Sequence, residues 1–257
     1  MELGLTGKVA VITGSTEGIG RATAFKLARE GAKVAICGRR AELVATTLEE
    51  LKRAGGDALG MAADISRAAD IERFIDAVVK HFGRLDILVN NAGSSKRGAF
   101  LEVDDATWAA DFELKVFGAI RCTRLAMPHM RKQGGGRVIN ITNIGAKQPG
   151  AESMPTTISR AAGLALTKAL SKEFARDNIL VNTVSIGKIK SGQHERARAR
   201  SGLGVEEFYT RAGKDIPLGR MGETDEAANV ILFLASSAAS YVTGTSINID
   251  GGISGVL

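Results

Sequence analysis

The sequence predicts an α/β fold: a doubly wound parallel sheet of seven strands with helices on both faces. Three features predict it. Short apolar runs recur along the chain, stretches of helical periodicity separate most of them, and a glycine-rich turn joins the first run to the first helical stretch. Strands that alternate with helices in this way are buried on both faces, and their right-handed crossovers lay the helices on either side of one sheet.

The predicted strands are KVAVIT (Lys8–Thr13), KVAIC (Lys33–Cys37), ALGMA (Ala58–Ala62), LDILVN (Leu85–Asn90), RVINIT (Arg137–Thr142), ILVNTV (Ile179–Val184) and SINID (Ser246–Asp250). Apolar residues at helical spacing fill Ala22–Glu30 and Leu43–Ala54, and Gly55 is placed to end the second of these helices. No Pro/Ser linker and no repeat interrupts the chain, so residues 1–257 are expected to form one domain. The least regular stretch, residues 185–224 between the sixth and seventh strands, is the expected substrate lid.

Composition narrows the classes. The chain has 257 residues, 44% of them hydrophobic, with 31 glycines and only 4 prolines. This suits a sizeable core with many tight turns. Its +6 formal charge is scattered, aromatics make up 5%, and no basic–aromatic alternation appears, so no nucleic-acid partner is expected. No apolar run approaches the ~18 residues of a membrane span. The first eight residues lack an apolar leader core, and a soluble, cytoplasmic protein is expected. The two cysteines, Cys37 and Cys122, offer neither metal spacing nor a disulfide framework, and no metal is expected. His81, His129 and His194 read as solvated.

The chemistry begins after the first strand. Gly14-Ser15-Thr16-Glu17-Gly18-Ile19-Gly20 opens a helix, and such a turn brings backbone N–H groups and a helix N-terminus against a pyrophosphate. At the end of the second strand, where NAD-binding chains place an acid for the ribose hydroxyls, stands Cys37-Gly38-Arg39-Arg40. An arginine fork suits a 2′-phosphate, which favours NADP(H) over NAD(H).

Thr13-Gly14-Ser15-Thr16-Glu17-Gly18-Ile19-Gly20 resembles the TGxxxGIG motif of short-chain dehydrogenases/reductases, a Rossmann-type family. Asn90-Asn91-Ala92-Gly93 resembles that family's NNAG motif after the fourth strand. The resemblance runs to Gly244-Thr245 and the terminal Asp250-Gly251-Gly252. It implies adenine contacts at Asp64 and Ile65, and cofactor contacts at Asn91, Ala92, Gly93, Arg160 and Ile189. It also implies a homodimer or homotetramer built through residues 104–133 and 154–176.

The family works with an Asn, a Ser and a Tyr-x-x-x-Lys pair, and this chain departs at all four positions. Lys115 stands for the Asn, Asn143 for the Ser, Thr156 for the Tyr and Arg160 for the Lys. A threonine hydroxyl is a far weaker acid than a phenol and too short to reach the same place. Arg160 can fork onto ribose hydroxyls but holds its proton, and Asn143 can still donate to a carbonyl oxygen. Halohydrin dehalogenases, which resemble this family, keep Ser and Tyr and lose the phosphate loop; this chain does the opposite.

Lys115 has two candidate roles, of which anchoring an anion is favoured over supplying the proton. A buried cation pointing at Arg160 has its pKa pushed down and can serve as an acid near neutral pH; the competing role is an anchor for an anion. The two cations are expected to lack a protein partner. Tyr209 in the lid is a weaker candidate than packing would be, and Tyr241 is expected in the core. The lid carries Lys188, Lys190, Arg196, Arg198 and Arg200, which with Lys115 and Arg160 would draw in an anionic small molecule. The expected function is NADP(H)-dependent oxidoreduction of a carbonyl or alcohol with an atypical acid. The alternative is an NADP(H)-binding protein or sensor without turnover.

Overall fold

The computed structural model describes residues 2–257. Seven parallel strands form the central sheet: β1 (Val9–Ile12), β2 (Lys33–Gly38), β3 (Ala58–Ala62), β4 (Ile87–Asn90), β5 (Gly136–Asn143), β6 (Ile179–Ile186) and β7 (Ser246–Ile249). Their spatial order is β3-β2-β1-β4-β5-β6-β7. All seven predicted strands form. β5 and β6 run longer than their apolar runs, because ladder pairing from Gly136↔Ile179 to Asn143↔Ile186 carries both strands past them.

The helices are α1 (Gly18–Arg29), α2 (Ala41–Arg53), α3 (Ala68–Phe82), α4 (Asp105–Phe112), α5 (Gly118–Lys132), α6 (Thr156–Glu173), α7 (Gly192–Ser201), α8 (Val205–Gly213) and α9 (Thr224–Ala235). On one face of the sheet, Leu27, Leu51 and Ile231 pack α1, α2 and α9 against Ile12, Ile36 and Val184. On the other, Phe74, Cys122, Met130 and Leu170 bring α3, α5 and α6 onto Val11, Leu88 and Val181. Covered on both sides, β1 and β4 are buried at every position. Gly55 takes φ +86 just beyond α2, as a C-terminal glycine does. Residues 185–224, read from the sequence as the least regular stretch, hold α7 and α8. The α7 sequence GQHERARARS has no apolar stripe to announce it, and no residue of that helix is buried.

Two features position the functional site. From β1 the chain moves outward to β3 and then returns to β4 beside β1, so a crevice opens beyond the carboxyl ends of β1 and β4, where such folds bind ligands. Between α4 and α5 lies a π-helical turn, Glu113–Phe117, which carries Lys115. Single π turns inside α-helices are rare and cluster at functional sites.

Candidate active site

The crevice floor is made of backbone. Thr13 Oγ1 accepts hydrogen bonds from the N–H groups of Asn91 and Ala92, each 3.0 Å long. The Asn91 amide donates back to the carbonyls of Thr13 at 2.9 Å and Gly14 at 2.8 Å. These bonds lock the glycine loop to the segment after β4. Gly14 adopts φ +64, and a Cβ there would stand 2.9 Å from the Ala92 Cα, so only glycine fits. Glu17 provides no side-chain cap for α1, which leaves the leading N–H groups of that helix available to an anion. This loop fits a dinucleotide pyrophosphate.

The predicted cofactor residues divide into those that face the crevice and those that build it. Gly14, Gly18, Ile19 and Gly20 form the loop and the first turn of α1, with Thr16 packed against Gly38 at the end of β2. Ser15 spends its polar groups within the protein. Its N–H donates to the Cys37 carbonyl at 3.0 Å, and its buried hydroxyl donates to Ile12 and accepts from the Cys37 N–H. Asn91 likewise spends its side chain on the loop. Asp64 receives the Ser66 N–H and hydroxyl, shaping the turn before α3, while Ile65 and Ile189 are buried. Arg39 and Arg40 are exposed at the end of β2. Arg40 is already engaged by Glu17 at 2.5 Å, and Arg39 has no carboxylate partner among the described residues.

The helix face opposite is made of side chains. Lys115 Nζ is buried and donates to Thr156 Oγ1 at 2.8 Å and to Asp111 Oδ1. The other Asp111 oxygen accepts the Ser159 hydroxyl at 2.5 Å. Thr156 Oγ1 also accepts the Lys96 N–H at 2.9 Å, so its accepting capacity is filled and its own hydrogen remains to be donated. Arg160 lies under the crevice. Its Nη1 donates to the Ile141 carbonyl at 2.5 Å, its Nε is buried without a partner, and its Nη2 rests where a Cβ on Gly93 would stand, 2.5 Å away. Asn143 Oδ1 is also buried without a partner at the end of β5. The fold therefore gathers Lys115, Thr156 and Arg160 around one site. Lys115, Ser159 and Arg160 line a small pocket with Asn90 and Asn140.

Burial and the neighbouring Arg160 push the Lys115 ammonium down to about 8, while Asp111 pulls against them. Burial likewise brings Arg160 down to about 10, again opposed by Asp111. The expectation that these two cations lack a protein partner is corrected by Asp111, which the sequence reading missed. The available signal was an acid four residues before Lys115 in a helical stretch, the spacing that puts two side chains on one face.

The basic segment is also corrected. Lys190 pairs with Glu223 at 2.5 Å, Arg198 with Glu195 at 2.9 Å and Arg196 with Glu17 at 3.8 Å. Lys188 and Arg200 bind the carbonyls of Ala212 and Arg196. Three of these five cations are paired with acids, Glu195 on α7 itself and Glu223 and Glu17 on neighbouring elements, rather than gathered toward an anion. Tyr241, expected in the core, is fully exposed. Tyr209 donates to Glu195 between α7 and α8, and burial with that carboxylate raises its hydroxyl to about 12. His194 is half-buried rather than solvated, 3.0 Å from the Ser191 hydroxyl, and burial lowers its pKa.

This geometry has close relatives. A family model described as enoyl-(acyl carrier protein) reductase matches residues 14–254. A putative ketoacyl reductase of Streptomyces coelicolor is 35% identical over 252 residues, 96% of this chain and 97% of that protein. A 3-oxoacyl-(acyl-carrier-protein) reductase of Aquifex aeolicus is 35% identical over 254 residues, 98% of this chain and 100% of that protein. Among solved structures, L-sorbose reductase from Gluconobacter frateurii, complexed with NADPH and L-sorbose, matches with a TM-score of 0.96 at 33% identity, covering 100% of both chains. An actinorhodin polyketide ketoreductase with NADPH matches with a TM-score of 0.92 at 34% identity, covering 97% of this chain and 98% of that one. Strand order, glycine cradle and end-to-end similarity agree, and the chain belongs to the short-chain dehydrogenase/reductase family of oxidoreductases.

Proposed function

We propose that this chain is an NADP(H)-dependent oxidoreductase that interconverts a carbonyl and an alcohol, with Lys115 as the proton source where the family's tyrosine is missing. The observation that carries the reading is the contact of the Lys115 ammonium with Thr156 Oγ1, at the tyrosine's own position. An ammonium has three hydrogens. One goes to Asp111 and one to Thr156, which leaves one for the site.

When bound, the nicotinamide supplies the hydride for the carbonyl carbon. The residues handle the oxygen. The Asn143 side-chain amide steadies it, and Arg160 Nη2 beside Gly93 holds the ribose. As the carbonyl oxygen gains charge it takes a proton from Lys115 Nζ, either directly or through the Thr156 hydroxyl, which passes its own hydrogen on and takes one from Nζ. Ketone, hydride and proton make the alcohol, and Lys115 is left neutral. Its burial beside Arg160 brings that neutral form within reach near physiological pH. The loop residues Gly14, Thr16, Gly18, Ile19 and Gly20 hold the pyrophosphate, Arg39 and Arg40 the 2′-phosphate, and Asp64 the adenine. The NADPH complexes of the related sorbose reductase and ketoreductase support this cofactor.

Lys115 and Arg160 together outweigh Asp111 by one charge, which favours a small-molecule substrate with an anionic group near its carbonyl. Residues 185–224 act as its lid. The exposed Phe117 and Ile158, on the segments expected to pair between subunits, support a homodimer or homotetramer. A second reading, an NADP(H)-binding protein without turnover, is favoured by one observation: the Asp111–Lys115 pair is closed within a buried network, as a purely structural pair would be. NADPH consumption against ketoses, ketoacyl thioesters and simple ketones separates the two. Turnover of any of them establishes the enzyme; tight NADPH binding with no turnover across the panel establishes the second reading.

A further inference from the structure

Asp111 is the one buried carboxylate at the site. It reaches Lys115 with one oxygen and Ser159 with the other, and both of its partners are themselves buried. The charged groups facing Lys115 are Asp111 from α4 and Arg160 from α6. Thr156 and Ser159 of α6, Asn90 of β4 and Asn140 of β5 are neutral, and no other ionisable side chain lines the pocket among the described residues. An ammonium buried beside a guanidinium sheds its proton unless something opposes both burial and repulsion. Asp111 is the only group placed to do so. It also fixes direction: an i, i+4 pair across the junction of α4 with the π turn holds Nζ against α6 instead of letting the flexible stem swing.

We infer that Asp111 is the positioning residue for the proton-donating lysine, clamping the Lys115 ammonium from one oxygen while Ser159 anchors the other. The inference rests on the proposed role of Lys115, and it adds a second residue, one with no counterpart among the family's four. Asp111 touches neither substrate nor cofactor; it acts through Lys115 alone. The Asp111→Asn change keeps the shape and offers Nζ an amide hydrogen in place of a negative charge, so the neutral amine becomes the preferred form. Ser159→Ala leaves the ion pair in place and removes only its anchor.

The experiment is the pH profile of kcat/KM for carbonyl reduction by the wild-type chain, Asp111→Asn, Ser159→Ala, Lys115→Met and the Asp111→Asn/Lys115→Met double variant, with NADPH titration of each to report folding. In Asp111→Asn the alkaline fall in rate moves to lower pH by about one unit or more. Ser159→Ala loses about three- to tenfold in kcat with KM and the position of the fall unchanged. In the Lys115→Met background, Asp111→Asn adds no further loss. An unmoved fall in Asp111→Asn beside an inactive Lys115→Met overturns this inference alone. Should Asp111→Asn fail to bind NADPH, a full-rate Ser159→Ala enzyme overturns it instead. A fully active Lys115→Met enzyme overturns the proton-source reading, and this inference with it.

Discussion

The glycine-rich end of the sheet and the helix face opposite it are built by different means. At the β1–α1 turn the candidate site is built from backbone. N–H groups point at the crevice, Thr13 and Asn91 tie the loop down, and glycine stands where a Cβ would collide. On the α4–α6 face the candidate site is made of side-chain ends that meet across elements: Lys115 from the π turn, Asp111 from α4, and Thr156 and Ser159 from α6. A site made of backbone shape changes only if the fold changes. A site made of side chains can be rewritten by four substitutions while its frame stays in place. This would account for a chain so similar in length and shape to ketoreductases that carries Thr156 and Arg160 where the family motif leads one to expect a tyrosine and a lysine.

Four substitutions sharpen or break that contrast. The largest effect is expected at Lys115. Lys115→Met removes the proton source, and kcat for reduction falls by about 10²–10⁴-fold. NADPH affinity stays within about threefold, or about 0.7 kcal/mol, because the cradle is untouched. Steady-state kinetics beside a nucleotide titration reads both. Next, Gly14→Ala puts a Cβ 2.9 Å from the Ala92 Cα in a backbone conformation of φ +64. That strain costs about 1–3 kcal/mol, lowers the thermal midpoint by several degrees and weakens NADPH and NADH alike. Unchanged melting and unchanged binding would show that the loop can give way.

Arg39→Ala is expected to act on one nucleotide only. NADPH weakens by about tenfold, or about 1.4 kcal/mol, while NADH is unaffected. Equal loss for both would place Arg39 away from the 2′-phosphate. The smallest effect is expected at Glu17. Its carboxylate already holds Arg40, so a 2′-phosphate must compete for that guanidinium. Glu17→Gln frees Arg40, and NADPH should bind about two- to threefold more tightly, under about 0.7 kcal/mol, since both partners are half exposed and screened. Isothermal titration at two ionic strengths tests it; weaker NADPH binding by Glu17→Gln would make Glu17 a cofactor contact instead of a competitor.

The same contrast explains what could be read from the sequence. The loop announced itself because its requirements fall on consecutive residues, from Thr13 to Gly20. The inner strands announced themselves because both faces are buried, which leaves apolar runs. Asp111 did not, because its partners Lys115 and Ser159 come together only when α4 packs beside α6. Tyr241 was misread because a residue's place in a motif says which turn it occupies and nothing about which way its side chain faces. The basic segment was misread because two of its neutralising acids are remote in sequence, Glu223 some thirty residues on and Glu17 in the glycine loop, while the third, Glu195, lies within the segment itself. The four positions were legible one by one; the network that joins Lys115 to Thr156 and Asp111 was not.

The central claim is that a lysine supplies the proton the tyrosine would have given. Reduction consumes a proton, so the competent form is the ammonium, and the rate must fall as pH rises past the pKa of Lys115. Burial beside Arg160 puts that value at about 8, below the ordinary lysine range. The measurement is kcat/KM for carbonyl reduction with NADPH over about pH 6–10, for the wild-type chain and for Lys115→Met. The account predicts a level rate at low pH and a tenfold fall per unit above about 8 in the wild type, with that limb missing from the residual rate of Lys115→Met. A wild-type profile that stays level to about pH 10, or the same limb in both proteins, would contradict it.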